Sequence, residues 1–217
     1  MKLFVCLFLL LIPSVNFAYK KREIPYPIVI SKADLIVDGT ISKVSKDKYE
    51  FVINQFIKGK SQQKINVAIW EEWLCDPRNK ELKVGQRLML FLEKMPNGNF
   101  NAINESTGEL YIDNNRFVNI FLPKDFSNPT VLKKGISMFL ETYSCYGDLN
   151  DRFLQNVYFW SNKSIFEIYR LKNDNSVFSY LADYVMSSCK FDETPTNFTI
   201  EQLKNYSTNS KTANSWG

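Results

Sequence analysis

The chain has 217 residues, 45% of them hydrophobic, and a formal charge of +4 with no histidine. The missing histidine excludes His-based acid–base catalysis, Ser-His and Cys-His nucleophile pairs, and the commonest zinc ligand. The mild positive excess is spread along the chain, so it is not the clustered basic footprint of a nucleic-acid binder.

The first stretch, "MKLFVCLFLLLIPSVNFA", has Lys2 ahead of an apolar run from Leu3 to Ile12, a break at Pro13 and a small residue at Ala18. This is the layout of a secretory signal peptide over residues 1–18. The apolar run falls short of the roughly 20 residues that cross a bilayer. The sequence thus predicts a secreted or periplasmic protein with no membrane insertion after signal cleavage. Lys20, Lys21 and Arg22 would then form a solvated tail at the new N-terminus.

Residues 33–45 alternate, with Ala33, Leu35, Val37, Gly39 and Ile41 on one face, and Gly39 predicts a bend or bulge. Tyr49, Phe51 and Ile53 mark a second strand ending at Lys58-Gly59, and Ile65, Val67 and Ile69 a third. "QRLMLFLEK" after Gly85 is apolar on both faces and should be a central buried strand. Asn97-Gly98 signals a two-residue hairpin leading to a strand near Phe100–Ile103. A second hairpin has Asp113 to Arg116 at its tip. Seven short strands with closely spaced turns predict a small barrel or sandwich over residues 19–124.

The pattern changes after Pro123. Asn128-Pro129 is a cap and first-turn pair. Leu132, Ile136, Phe139, Leu140 and Tyr143 then share a helical face, with Gly147 as a stop. Phe153, Leu154, Val157 and Tyr158 suggest a second helix, and Ser164 with Glu167 a capping box before a third. Val177, Leu181, Tyr184 and Val185 mark a last helix from Ser176 to Ser188. Residues 125–191 are therefore read as a helical region packed on the barrel and covering its usual ligand groove. Residues 192–217, rich in Thr, Asn and Ser, are read as a flexible tail. Strands followed by helices make an α+β chain, a β-domain with a helical C-terminal region.

The order "SKADLIVDGTISKV", "YEFVINQFIKGK", "CDPRNKELKVGQRLMLFLEK" resembles the bacterial branch of netrin-like, TIMP-like domains over about residues 31–121. The matching features are Ala33-Asp34, Gly39, Lys58-Gly59, Cys75 and Gly85. The resemblance implies an OB-type barrel. Family members that inhibit metalloproteases use a cysteine at the mature N-terminus. Here the first cysteine after residue 18 is Cys75, so the resemblance gives no support for that route.

Cys75 has Glu71, Glu72 and Asp76 nearer in sequence than any lysine, which disfavours a thiolate nucleophile. It is read as a reduced, packed side chain. Export predicts one disulfide, and Cys145 with Cys189 is the preferred pair because each follows a helix. Trp70, Glu71 and Trp73 could form a stacking face for a sugar or peptide, although packing of one tryptophan is the simpler reading. Neighbouring strand residues point to opposite faces, so Glu71 and Glu72 make a poor hydrolase pair. No pattern predicts a metal site or a cofactor. Asn104, Asn162, Asn197 and Asn205 are glycosylation acceptors only in a eukaryotic secretory context. The expectation is an exported, non-enzymatic binding protein with a protein or glycan partner and no nucleic acid. A protease inhibitor and a carboxylate-based hydrolase are the alternatives.

Overall fold

Five strands close on themselves. In a computed structural model describing residues 21–119, 122–126, 128–150, 154, 157–188 and 190–192, these are β1 (Leu35–Val44), β2 (Lys48–Lys58), β3 (Lys64–Ala68), β4 (Arg87–Lys94) and β5 (Phe100–Ala102). The circuit runs β1-β2-β3-β5-β4 and returns to β1, and within it only the β3–β5 pairing is parallel. β6 (Glu109–Asp113) extends the sheet from β4, and β7 (Arg116–Phe117) pairs with β6. This is the expected α+β architecture, an OB-like barrel followed by helices. Residues 1–18, expected to be a signal peptide, and residues 193–217, expected to be a tail, lie outside the described residues.

Strand alternation sends Leu35, Val37, Tyr49, Phe51, Ile53, Val67, Leu88 and Leu90 into the barrel. The intervening positions Ile36, Met89, Phe91, Leu110 and Ile112 face a second core outside it. β4 is buried on both faces, which is why it reads as a continuous apolar run. The expected irregularity at Gly39 is a register shift between Asp38 and Gly39. A Cβ there would lie 2.2 Å from the Val52 carbonyl oxygen, so the close approach of β1 to β2 requires glycine. The hairpin at Asn97-Gly98 is longer than two residues, and closes through the Met95 N–H donating to the Asn99 carbonyl at 2.9 Å.

Helices supply the other wall of the second core. α1 (Tyr26–Lys32) precedes the barrel and was not legible as a helix. Its C-terminal carbonyls of Ile30 and Ser31 each accept from Lys58 Nζ at 2.8 Å. α2 (Pro129–Thr142) starts as expected, with Asn128 Oδ1 accepting from the backbone N–H of Thr130 and Val131. α3 (Ile165–Asp174) carries the Ser164–Glu167 capping box. α4 (Ser176–Ser188) buries Val177, Phe178, Leu181 and Val185. Asn175 joins α2 and α4: its Nδ2 donates to the Val131 carbonyl and its Oδ1 accepts from the Phe178 N–H. The crossing is tight, because a Cβ at Gly135 would meet Asn175 Oδ1 at 2.6 Å.

Three expectations for the C-terminal half are corrected. Tyr143 shares the apolar stripe of α2, yet its backbone is extended and opens β8 (Tyr143–Gly147). The expected helix through Val157 and Tyr158 is β9 (Val157–Ser161), which pairs antiparallel with β8 and parallel with β10 (Lys190–Asp192). Phe153, in the same expected helix, lies outside the described residues. The helices do dock on the barrel, but on the outer face of β1, β4 and β6. Asn54, Lys64 and Asn66 on the outer β2–β3 face stay exposed, while Gln55 accepts from Lys133 of α2 at 2.9 Å.

One buried charge ties the layers together. Asp38 on β1 accepts from Arg87 at 2.9 and 2.6 Å and from Lys133 on α2 at 3.1 Å. Burial alone would raise its pKa, but the hydrogen bonds from Arg87 and Lys133 outweigh it and hold the carboxyl below its ordinary value.

Candidate functional site

The connection between β3 and β4, residues 69–86, has no helix and lies against one end of the barrel. Its anchor is Arg78. The guanidinium donates from Nε to Glu109 Oε1 at 2.9 Å, from Nη2 to the Trp70 carbonyl at 3.3 Å, and stacks 4.1 Å above the Trp70 ring. Glu109 is fully buried at the start of β6 and also accepts from the hydroxyls of Tyr49 and Tyr111, at 3.1 and 2.8 Å. Burial and the adjoining Glu109 carboxylate push both phenols far above their ordinary pKa, so they act as neutral donors. Burial alone would lower the Arg78 pKa, and Glu109 more than compensates. The network satisfies a charge that would be very costly alone inside a barrel.

A second cluster lies beside it. The Asp76 N–H donates to the Trp73 carbonyl at 2.9 Å, closing a tight turn with Leu74 and Cys75 at its tip. The Asp76 side chain is 4% exposed. Its Oδ2 accepts from Lys21 Nζ at 2.6 Å and from the Ser106 N–H at 3.3 Å, and its Oδ1 accepts from the Ser106 hydroxyl. Lys21 Nζ also donates to Ser106 Oγ at 2.8 Å. Glu105 adjoins the cluster, with Oε2 accepting from Trp73 Nε1 at 3.1 Å. Burial would raise Asp76, but bonds from Lys21 and Ser106 hold it below the usual carboxylate range. Burial holds Glu105 above that range, opposed by the Trp73 N–H and reinforced by Asp76.

The turn that presents these groups is strained. Asn104 and Glu105 have φ of 51° and 59°, the left-handed region that favours glycine. Asn104 Nδ2 steadies it by donating to Thr107 Oγ1 and to the Arg22 carbonyl, both at 3.1 Å. That engagement of Asn104 leaves its amide nitrogen unsuited to glycosylation in this conformation.

Next to the cluster lies a groove of about 650 Å³ between the barrel and the helical layer. The segment 21–25 and Leu122-Pro123 form its edges, and Tyr180 and Tyr184 of α4 its far wall. Asp76, Ser106 and Cys75 line the barrel side.

The sequence-predicted residues are placed as follows. Trp70 lies under Arg78, its Nε1 buried without a hydrogen-bond partner among the described residues. Trp73 is half-buried against Glu105, and Glu71 is exposed. The two tryptophans thus serve different polar networks. Cys75 has a free thiol but is not core filler: it is half-buried in the groove wall, and the nearby Lys21 ammonium is engaged by Asp76 and Ser106. Cys145 sits on β8 opposite Phe159, while Cys189 lies outside the described residues. Among the described residues no three metal-ligating side chains converge.

Lys21, Arg78, Glu105, Ser106 and Glu109 were missed. Only the isolated Glu109 inside an apolar strand offered a signal. Lys21 lay in a basic run that reads as a solvated tail, 55 residues from its partner. No protein-family model and no curated protein matches the sequence.

Proposed function

We propose that the protein is an exported, non-enzymatic binding module with a netrin-like, TIMP-like barrel, and that a protein or glycan partner binds in the groove between barrel and helices. The observation carrying this reading is the groove itself: an aromatic and apolar cleft with a few converging polar groups, the usual character of a ligand site. Its Lys21 ammonium donates to Asp76 and to Ser106, and the Ser106 hydroxyl donates to Asp76, so these groups are spent on one another. Capture from the native compartment with the wild-type chain, compared with Tyr180→Ala/Tyr184→Ala, tests it. Partners lost with the double variant support the groove; partners retained in full place binding elsewhere, and no partner under any condition ends the reading.

A carboxylate-based hydrolase is the second reading, favoured by one observation. Asp76 and Glu105 adjoin with their acidities pushed in opposite directions, the arrangement that acid–base pairs use. A glycan and peptide hydrolysis panel across acidic pH tests it. Activity abolished by Glu105→Gln would support it, and an inert wild-type chain would sink it.

A further inference from the structure

The groove's polar end already contains an occupant. Lys21 stretches into it from a segment with no helix or strand, residues 21–25, of which Arg22 and Glu23 are exposed. Releasing this strap would break no sheet ladder. The niche, by contrast, is built. Asp76 is buried, its Oδ1 is fixed by the Ser106 hydroxyl, and that hydroxyl has spent its single proton on Asp76. Ser106 Oγ therefore offers only lone pairs to the ammonium, and Asp76 Oδ2 offers charge. Glu105 adds a second acidic group at the edge, on a turn whose residues Asn104 and Glu105 take the left-handed conformation. Strain of this kind persists where surrounding contacts over-determine it, as Trp73, Asn104 and Thr107 do here.

We propose that the niche formed by Asp76, Ser106 and the turn 104–107 is a receptor for a primary ammonium group, filled in cis by Lys21, and that an extended polypeptide bearing a lysine side chain enters the groove by displacing the N-terminal strap. The bound Lys21 shows which chemistry the niche accepts. The wall beyond it that stays in place, with Leu122, Tyr180 and Tyr184, suits the apolar residues flanking such a lysine. The strap is then an internal competitor that sets the affinity threshold for the partner. This inference rests on the groove being the binding site.

Two probes test it on the chain from residue 19 onward. The first is n-butylammonium. Lys21→Ala is expected to melt at lower temperature and to regain at least half the loss with millimolar n-butylammonium. An equal ionic strength of tetramethylammonium should give no recovery, and neither should the added change Asp76→Asn. Lys21→Gln, which keeps an N–H for Asp76, replaces the alanine variant if that does not fold. The second is a lysine peptide, acetyl-Leu-Lys-Leu-Tyr-amide, with its norleucine counterpart. Lys21→Ala should bind the lysine peptide about tenfold or more tightly than the wild type, because a site filled in cis loses apparent affinity by its open fraction. The wild type should show faster hydrogen exchange at residues 22–26 when that peptide is added. Absence of rescue, or equal affinity of the two proteins, overturns the ammonium receptor. Equal binding of both peptides, abolished by Tyr184→Ala, would also overturn it while leaving the groove reading intact. Binding of neither peptide to any variant would remove both.

Discussion

The barrel and the layer of helices are stabilised in different ways. The barrel interior is filled from strands that follow one another in sequence, and the alternation that fills it is local. The second core is assembled from α1, α2 and α4, the outer faces of β1, β4 and β6, and the small sheet of β8 and β9. Its members come from both ends of the described chain. β4 belongs to both cores at once, with Leu88, Leu90 and Leu92 in one and Met89 and Phe91 in the other. β1 and β6 do the same, with Leu35 and Val37 against Ile36 and with Tyr111 against Leu110 and Ile112, so three strands couple the two layers and the helical region completes the fold of the barrel. Polar groups sharpen the contrast. The barrel end is closed by a buried ion pair, Arg78–Glu109, whereas among the described residues the layers are joined by the three-way charge contact at Asp38 and by Lys32 of α1 with Glu93 of β4.

The strongest attempt to separate the regions is Phe178→Ala on α4. It should cost about 3–5 kcal/mol, as large-to-small changes at fully buried aromatics do, and lower one shared cooperative transition. Two resolved transitions in calorimetry, with the barrel transition unmoved, would show that the layers fold independently. Arg78→Met at the barrel end leaves Glu109 buried without its cation, and should destabilise by about 3–5 kcal/mol. Denaturant titration checks this, and a neutral effect would mean that the two tyrosines alone satisfy Glu109.

Lys133→Met removes the helix-borne contact to Asp38. A loss of about 1.5–3 kcal/mol is expected, the range for hydrogen bonds to charged groups. The pH dependence has a definite sign. Asp38 has a lower pKa folded than unfolded, so its contribution is present above about 3.8 and is lost as pH falls through the folded value. Asp38→Asn should flatten the acid limb of the stability curve in that window; an unchanged limb would remove Asp38 as its source. The smallest effect belongs to the caps. Ser164→Ala deletes one half of a capping box on the exposed helix α3 and should cost about 1 kcal/mol. No measurable change in midpoint would mean that the α3 terminus frays already.

Which features were legible follows the same division. Asn128, the Ser164–Glu167 box and the alternation of Tyr49, Phe51 and Ile53 act within a few residues, and each was readable. Tyr143 was misread because its spacing from Phe139 fits a helical stripe. It stays in the apolar core while its backbone leaves the helix to pair with Ser161. Only the presence of β9 decides that exchange. The candidate site was least legible. Trp70 and Trp73 drew attention as aromatics, but their surroundings are set by Arg78 and Glu105. Lys21 gains meaning only beside Asp76 and Ser106, its distant partners.

By itself the sequence determined the apolar faces of the strands, the helix caps and the order of a strand-rich half followed by helices, because side-chain period and capping chemistry are short-range. Tertiary structure alone decided that Tyr143–Gly147 and Val157–Ser161 pair as strands, that Cys75 lines a groove, and that a basic N-terminal run seats a lysine on a buried aspartate. Those outcomes depend on which surfaces meet, and a charge or an apolar side chain takes its role from the partner that desolvates it.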